Sequence, residues 1–213
     1  MIKINNISFS YKKHKVLKDI SFEVPDGECV GIIGANGCGK STLLSILAGS
    51  RKQRSGQIEG ISQSDIGYVP QDNPLIPDLT AYDNLLLWYK GSRASLGKEL
   101  NNDLIKMLGI DSFLHKQVKR LSGGMKKRVS IAIALLSKPK LLILDEPSAA
   151  LDLPCKQDIK YYLREYLSTG GSVIITTHDE DELDLCSHLL VIKDSHLKEI
   201  DAGLRGEELT KQL

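Results

Sequence analysis

No stretch of this 213-residue chain comes near the eighteen or so consecutive apolar residues that a bilayer-spanning helix needs. The longest candidate, VSIAIALL at Val129–Leu136, falls well short. The start, MIKINNISFS, has no apolar core behind a basic tip, so no secretory leader is expected and the chain reads as soluble and cytoplasmic. Cysteine is sparse and unpatterned. Cys29, Cys38, Cys155 and Cys186 form no CxxC, and no histidine stands at metal-ligand spacing from them, which argues against a disulfide scaffold or a zinc site and predicts free thiols. Charge of neither sign dominates: a formal net charge of +1 supplies no global field to gather nucleic acid. Internal repeats and low-complexity tracts are missing too, so neither a repeat array nor a disordered tract is expected.

What remains is a globular balance of 41% apolar and 26% charged residues, in a length that suits one domain carrying an inserted lobe. Short apolar runs bounded by turn residues recur at Cys29–Ile33, Leu141–Asp145, Ser172–His178 and Leu189–Lys193. They lack the alternation of a half-exposed strand and read as strands buried on both faces. Helical patterns between them, at Ser41–Ala48 and Lys156–Leu167, predict a parallel sheet covered on both sides. The first residues differ: Ile2–Ser10 and Val16–Val24 alternate around the polar KKHK at Lys12–Lys15, as in an antiparallel hairpin. From Asp72 to about Lys138 no strand pattern is found. Thr80 and Asp83 predict a helix start, a second helix is expected near Leu100–Leu108, and the segment as a whole reads as a helical lobe.

GANGCGKS fits G-x-x-x-x-G-K-[ST] through Gly34, Gly39, Lys40 and Ser41, after one expected strand and at the head of an expected helix. Glycines let successive backbone N–H groups curl inward around a phosphate. Lys40 is placed to neutralise phosphate charge and the Ser41 hydroxyl to ligate Mg²⁺. LLILDEP sets Asp145 and Glu146 at the end of a buried strand, the edge where ligands of open α/β sheets bind. One carboxylate there suits a metal and the other an attacking water. His178 ends another apolar strand, and Gln71 precedes a proline-rich turn; taken singly, the one reads as structural and the other as solvated. Finally, KRLSGGMKKRV at Lys119–Val129 places a serine and two glycines just ahead of a helix, the construction of a second phosphate site. Ser122 suits an N-cap, and Met125, Val129, Ala132, Ile133 and Leu136 fall on one apolar face of that helix.

In this order the motifs resemble the nucleotide-binding subunit of an ATP-binding cassette (ABC) protein, a likeness that runs from about Met1 to Gly203. The resemblance implies an α/β P-loop NTPase fold: a RecA-like core with an N-terminal antiparallel β region (about 1–71 and 139–203), an inserted α-helical lobe (about 72–138) and a short C-terminal extension (204–213). It implies ATP and Mg²⁺ as cofactors. Glu146, His178, Gln71 and Lys40 would be catalytic, and Ser41, Gln71 and Asp145 would hold the metal. Nucleotide contacts would come from Tyr11, stacked on adenine, and from Asn36, Gly37, Cys38, Gly39, Lys40, Ser41 and Thr42. Ser122, Gly123 and Gly124, with Asp152 of the SAALD loop, would reach a nucleotide held by a second ATPase subunit. The two phosphate sites of one chain would thus serve two different nucleotides.

The implied function is a transport motor on the cytoplasmic face of the membrane, dimerising on ATP to drive a separate multi-span permease. The alternative is a soluble ATPase working on a protein or nucleic-acid partner. No [NT]-K-x-D guanine motif is present, which disfavours a GTPase. Met125 stands where the family signature LSGGQ ends in glutamine, and LSGGM followed by basic residues is similar to the export-type group. The segment after the core leaves room for one strand and a short helix, so no large C-terminal regulatory domain is expected.

Overall fold

A computed structural model describes residues 1–72 and 74–213; Asn73, within the expected lobe, lies outside the described residues. Strand β1 (Ile2–Tyr11) pairs antiparallel with β2 (His14–Val24) across a turn of Lys12 and Lys13, tighter than KKHK suggested. Next come β3 (Cys29–Ile33), α1 (Lys40–Leu47), β4 (Ser55–Glu59) and β5 (Ile66–Val69). Helices α2 (Ala81–Trp88), α3 (Arg93–Glu99), α4 (Asp103–Lys106) and α5 (Gly123–Leu135) then precede β6 (Leu141–Asp145). The chain finishes with α6 (Leu153–Ser168), β7 (Ser172–Thr176), α7 (Glu180–Leu183), β8 (His188–Lys193), β9 (His196–Ile200) and α8 (Gly206–Thr210). No helix among the described residues is long and apolar enough to cross a membrane.

The main sheet runs β5-β6-β7-β3-β8-β9, with β9 antiparallel to β8 and every other neighbour parallel. Its central strands are buried along their whole length, which is why they carry unbroken aliphatic runs. Alternate side chains go to opposite faces: Leu142 and Leu144 join one core with α5 and α6, while Leu141 and Ile143 join the other with α1 and the β1–β2 hairpin. A separate sheet, β2-β1-β4, covers that second face. Two strands eluded pattern reading for physical reasons. β4 is an exposed polar edge strand, and β5 has four residues including a glycine.

The helices depart from expectation in detail. Thr80 does cap α2, its hydroxyl accepting from Asp83 N while the Asp83 carboxylate accepts from Thr80 N. The helix expected near Leu100–Leu108 shrinks to the single turn of α4, because Asn102 leaves helical geometry and its side chain accepts from Leu104 N to start it, while α3 has already ended at Glu99. Helix α6 begins three residues before the expected Lys156, where Asp152 caps it by accepting from Cys155 N. Helix α5 is not amphipathic. Ile131, Ala134 and Leu135 are buried as well as Val129 and Ala132, because the helix runs through the interior against β5 and α2.

At the far end of the sheet His188 is held between two carboxylates, its Nδ1 2.8 Å from Glu199 Oε1 and its Nε2 3.1 Å from Glu28 Oε2. The bond to Glu199 raises the His188 pKa above its ordinary value; burial pulls the other way, and the charges of Glu199 and Glu28 add to the rise. The folded protein therefore favours the protonated ring. That contribution is complete below the unfolded histidine value of about 6.5 and fades as pH climbs through the higher folded value. His188→Gln is expected to lower the urea midpoint at about pH 6 and to differ little from wild type at about pH 9. Equal losses at both values would remove the ionic contribution.

Candidate functional site

Three strand ends meet at one edge because the register aligns them. Thr176 stands opposite Ile32 of β3 on one side and Asp145 of β6 on the other. Just beyond these residues the chain delivers the glycine-rich loop, Glu146 and His178 to the same edge.

The loop curls back over α1. Gly39 has φ 116°, in the left-handed region, and a Cβ there would stand 2.8 Å from Val16 Cγ1, so a side chain is excluded on both counts. Lys40, at the helix start, is 5% exposed, and its Nζ donates to Gly34 O at 2.7 Å. The same ammonium lies 3.5 Å from His178 Nε2. Asn36, Gly37, Gly39, Lys40, Ser41, Thr42, Gln71 and Glu146 line an open pocket of about 330 Å³. Cys38 points away from it, into a neighbouring hollow lined also by Val16 and Lys193.

Glu146 has φ 46°, a left-handed conformation that costs a residue with a side chain on the order of 1–3 kcal/mol. Thr176 holds it there: Glu146 N donates to the Thr176 carbonyl at 3.0 Å and to its hydroxyl at 3.1 Å. That hydroxyl in turn donates to Asp145 Oδ1 at 2.6 Å, in the core. The Glu146 carboxylate accepts from Gln71 Nε2 at 3.0 Å and lies 3.8 Å from His178 Nε2. Gln71, Glu146, His178 and Lys40 are thus linked into one group at the loop. Thr176 was missed by sequence reading, since a threonine within a β-branched run carries no signal of its own.

Around His178 a further layer is built from buried polar groups. Thr177 Oγ1 donates to Glu182, which is 2% exposed, and accepts from Asp179 N. Burial raises the Glu182 pKa, against the opposing hydrogen bonds of Thr177 and Ser148. Lys156 on α6 donates to Asp179 Oδ2 at 2.7 Å. A further hollow, lined by Glu146, Ser148, Lys156, Thr177 and His178, shares Glu146 with the loop pocket.

The donors around the loop suit a hard cation. Ser41 and Gln71 line the pocket and offer a hydroxyl and an amide oxygen, and Asp145, buried at the end of β6, offers a carboxylate whose Oδ1 already accepts from Thr176; all are oxygen ligands of the kind Mg²⁺ takes. Among the described residues no group of three or more His, Cys, Asp or Glu forms a cage of its own.

Not every expected residue joins this group. Ser122 and Gly123 are exposed at the head of α5, and Ser122 Oγ accepts from Met125 N. Gly124 is buried, and a Cβ on it would stand 2.4 Å from Cys155 Sγ. None of the three lines the loop pocket of its own chain. Asp152 is spent on capping α6. The Tyr11 ring, 44% exposed, packs edge-on to Phe9 and lies 5.0 Å from the Arg51 guanidinium.

Residues 17–149 match the family model described as ABC transporter. The linearmycin resistance ATP-binding protein LnrL of Bacillus subtilis is 33% identical over 210 residues, 92% of this chain and 68% of that protein. The spermidine/putrescine import ATP-binding protein PotA of Spiroplasma citri is 32% identical over 213 residues, 94% of this chain and 61% of that protein. Among solved structures, the dimeric post-hydrolysis state of the ATP-binding cassette MJ0796 bound to ADP and phosphate superposes with a TM-score of 0.84 at 29% identity. That match covers 97% of this chain and 100% of the other. The chain spans 46% of the length of one such curated relative and 69% of another, so roughly half to two thirds of these proteins.

Thr176 offers a test of this geometry that needs no nucleotide. Thr176→Val keeps the shape and removes the hydroxyl from Asp145 and Glu146 N, an expected loss of about 1–3 kcal/mol in urea unfolding. A variant as stable as wild type would show that the hydroxyl does not hold the strand ends.

Proposed function

The chain belongs to the ABC transporter family as an ATP-binding subunit, and on that premise we propose that it is an ATP-hydrolysing motor that drives a separate membrane permease. What carries the reading is the meeting of Lys40, Gln71, Glu146 and His178 at the glycine-rich loop, at separations of 3.0 to 3.8 Å. Bound ATP would lay its phosphates in the loop, where Lys40 exchanges the Gly34 carbonyl for β- and γ-phosphate oxygens. Glu146 then accepts the proton of the attacking water, and His178 and Gln71 fix that water and the γ-phosphate in line. Ser41, Gln71 and Asp145 would hold Mg²⁺, which when bound neutralises phosphate charge. Tyr11 stacks on the base, with Arg51 shifting from its face.

The exposed signature supports a two-subunit site. Ser122 and Gly123 present a helix N-terminus with no phosphate of their own chain to face, so we assign them to a nucleotide on a second, head-to-tail subunit, together with Asp152. The lobe of about residues 72–138 carries the surface for the permease: Ile76, Leu87 and Trp88 are 42%, 57% and 52% exposed. Such a partner places the chain on the cytoplasmic face of the membrane. Met125 with Lys126 and Lys127 supports export as the direction, although an importer stands among the relatives.

Glu146→Gln is expected to bind ATP but to turn over roughly 10²-fold or more slowly, and to form an ATP-dependent dimer on a sizing column. Unchanged turnover would remove Glu146 from the role of base, and a monomer throughout would overturn the two-subunit site. Capture from gently solubilised native membranes is expected to recover one multi-span protein in near-equal amount. Leu87→Asp combined with Trp88→Ala should lose it. Recovery of soluble partners alone would favour an ATPase with no part in transport.

A further inference from the structure

Lys127 stands in α5 only five positions after Ser122, yet its side chain is 3% exposed. Its Nζ leaves the helix to donate to Pro70 O at 3.2 Å and Gln71 O at 3.1 Å. Burial lowers the Lys127 pKa, against the pull of the Asp145, Asp72, Glu182 and Glu146 charges. An ammonium is a costly group to place in an interior, where an apolar side chain would pack without needing partners. Its location is accounted for by what it holds: the chain leaving β5 at Pro70 and Gln71, where Gln71 and Asp72 are exposed.

That segment feeds the site directly, since Gln71 Nε2 donates to Glu146 Oε2 at 3.0 Å. Helix α5 is unbroken from Gly123 to Leu135, so its exposed N-terminus and Lys127 move as one body. We propose that Lys127 is a positioning residue that carries movement of the signature end of α5 to Gln71 and Glu146 of the same chain, and so couples the two nucleotides of a dimer. The proposal rests on the two-subunit reading above. When a partner's nucleotide engages Ser122 and Gly123, α5 shifts, the Pro70 and Gln71 carbonyls follow Nζ, and the glutamine amide re-aims the Glu146 carboxylate. A site would thereby be set for hydrolysis by the nucleotide that its own signature caps.

The test is ATPase activity against ATP concentration for Lys127→Met, which fills similar volume without a donor, and Lys127→Arg, which keeps charge and N–H groups. Lys127→Met is expected to lower kcat about tenfold with KM for ATP within about twofold of wild type. Its Hill coefficient should fall to about 1, and Lys127→Arg should restore much of both. Urea midpoints are measured alongside. If methionine lowers the midpoint sharply, the comparison passes to Lys127→Gln, which keeps a donor that falls short of the carbonyls and should also lose kcat and cooperativity. Wild-type kcat and Hill coefficient in Lys127→Met would overturn the proposal. So would parallel losses of kcat, KM and stability that arginine does not restore. Glu146→Gln is run beside them on the sizing column. If it stays monomeric with ATP, the two-subunit reading fails; if it dimerises while Lys127→Met behaves as wild type, only the lysine coupling fails.

Discussion

The register of three neighbouring parallel strands is the constraint on which this molecule depends. Ile32, Thr176 and Asp145 lie side by side across β3, β7 and β6, and the functional groups are the residues that follow. A slip of one residue in β7 would turn Thr176 to the opposite face and break its bonds to both Asp145 and Glu146. Burial on both faces prevents that slip, since each strand would have to exchange the two sets of side chains that it gives to two different cores. The sheet's stability and the alignment of the site therefore have one source.

Beyond this edge, the residues that we assign to the nucleotide are held by polar contacts. Glu146 sits in a left-handed conformation fixed from below by Thr176 and approached from above by Gln71. Gln71 is exposed and is tied back by Lys127 of a different helix. Lys40 borrows a backbone carbonyl where phosphate oxygens would stand.

Much of this was legible in the sequence. CVGII, LLILD and LLVIK announced buried strands because burial on both faces leaves no room for polar alternation. GANGCGKS and LLILDEP pointed to one edge of the sheet because a glycine-rich turn and a strand-end acid pair each follow a buried strand, and the register brings the residues after β3 and β6 together there. The less visible parts depend on contacts between distant segments. Lys127 reads as one of several basic residues after a signature, and only the fold brings it to Gln71, 56 positions away. The five residues expected on the apolar face of α5 do pack in the core, but burial extends beyond them to Ile131, Ala134 and Leu135, and β4 escaped notice because it is an exposed edge with no apolar pattern.

The central claim is that the exposed signature serves a nucleotide held by a second copy, and a cross-link tests it most directly. Asn36 is exposed and lines the loop pocket, so Asn36→Cys with Ser122→Cys would place one thiol on each side of the shared site; Cys38 and Cys155 are changed to serine to prevent other bonds. With ATP and a mild oxidant, the account predicts a disulfide-linked dimer that vanishes on reduction and does not form without nucleotide. A chain that remains monomeric under ATP, or that cross-links equally without it, would contradict the shared site.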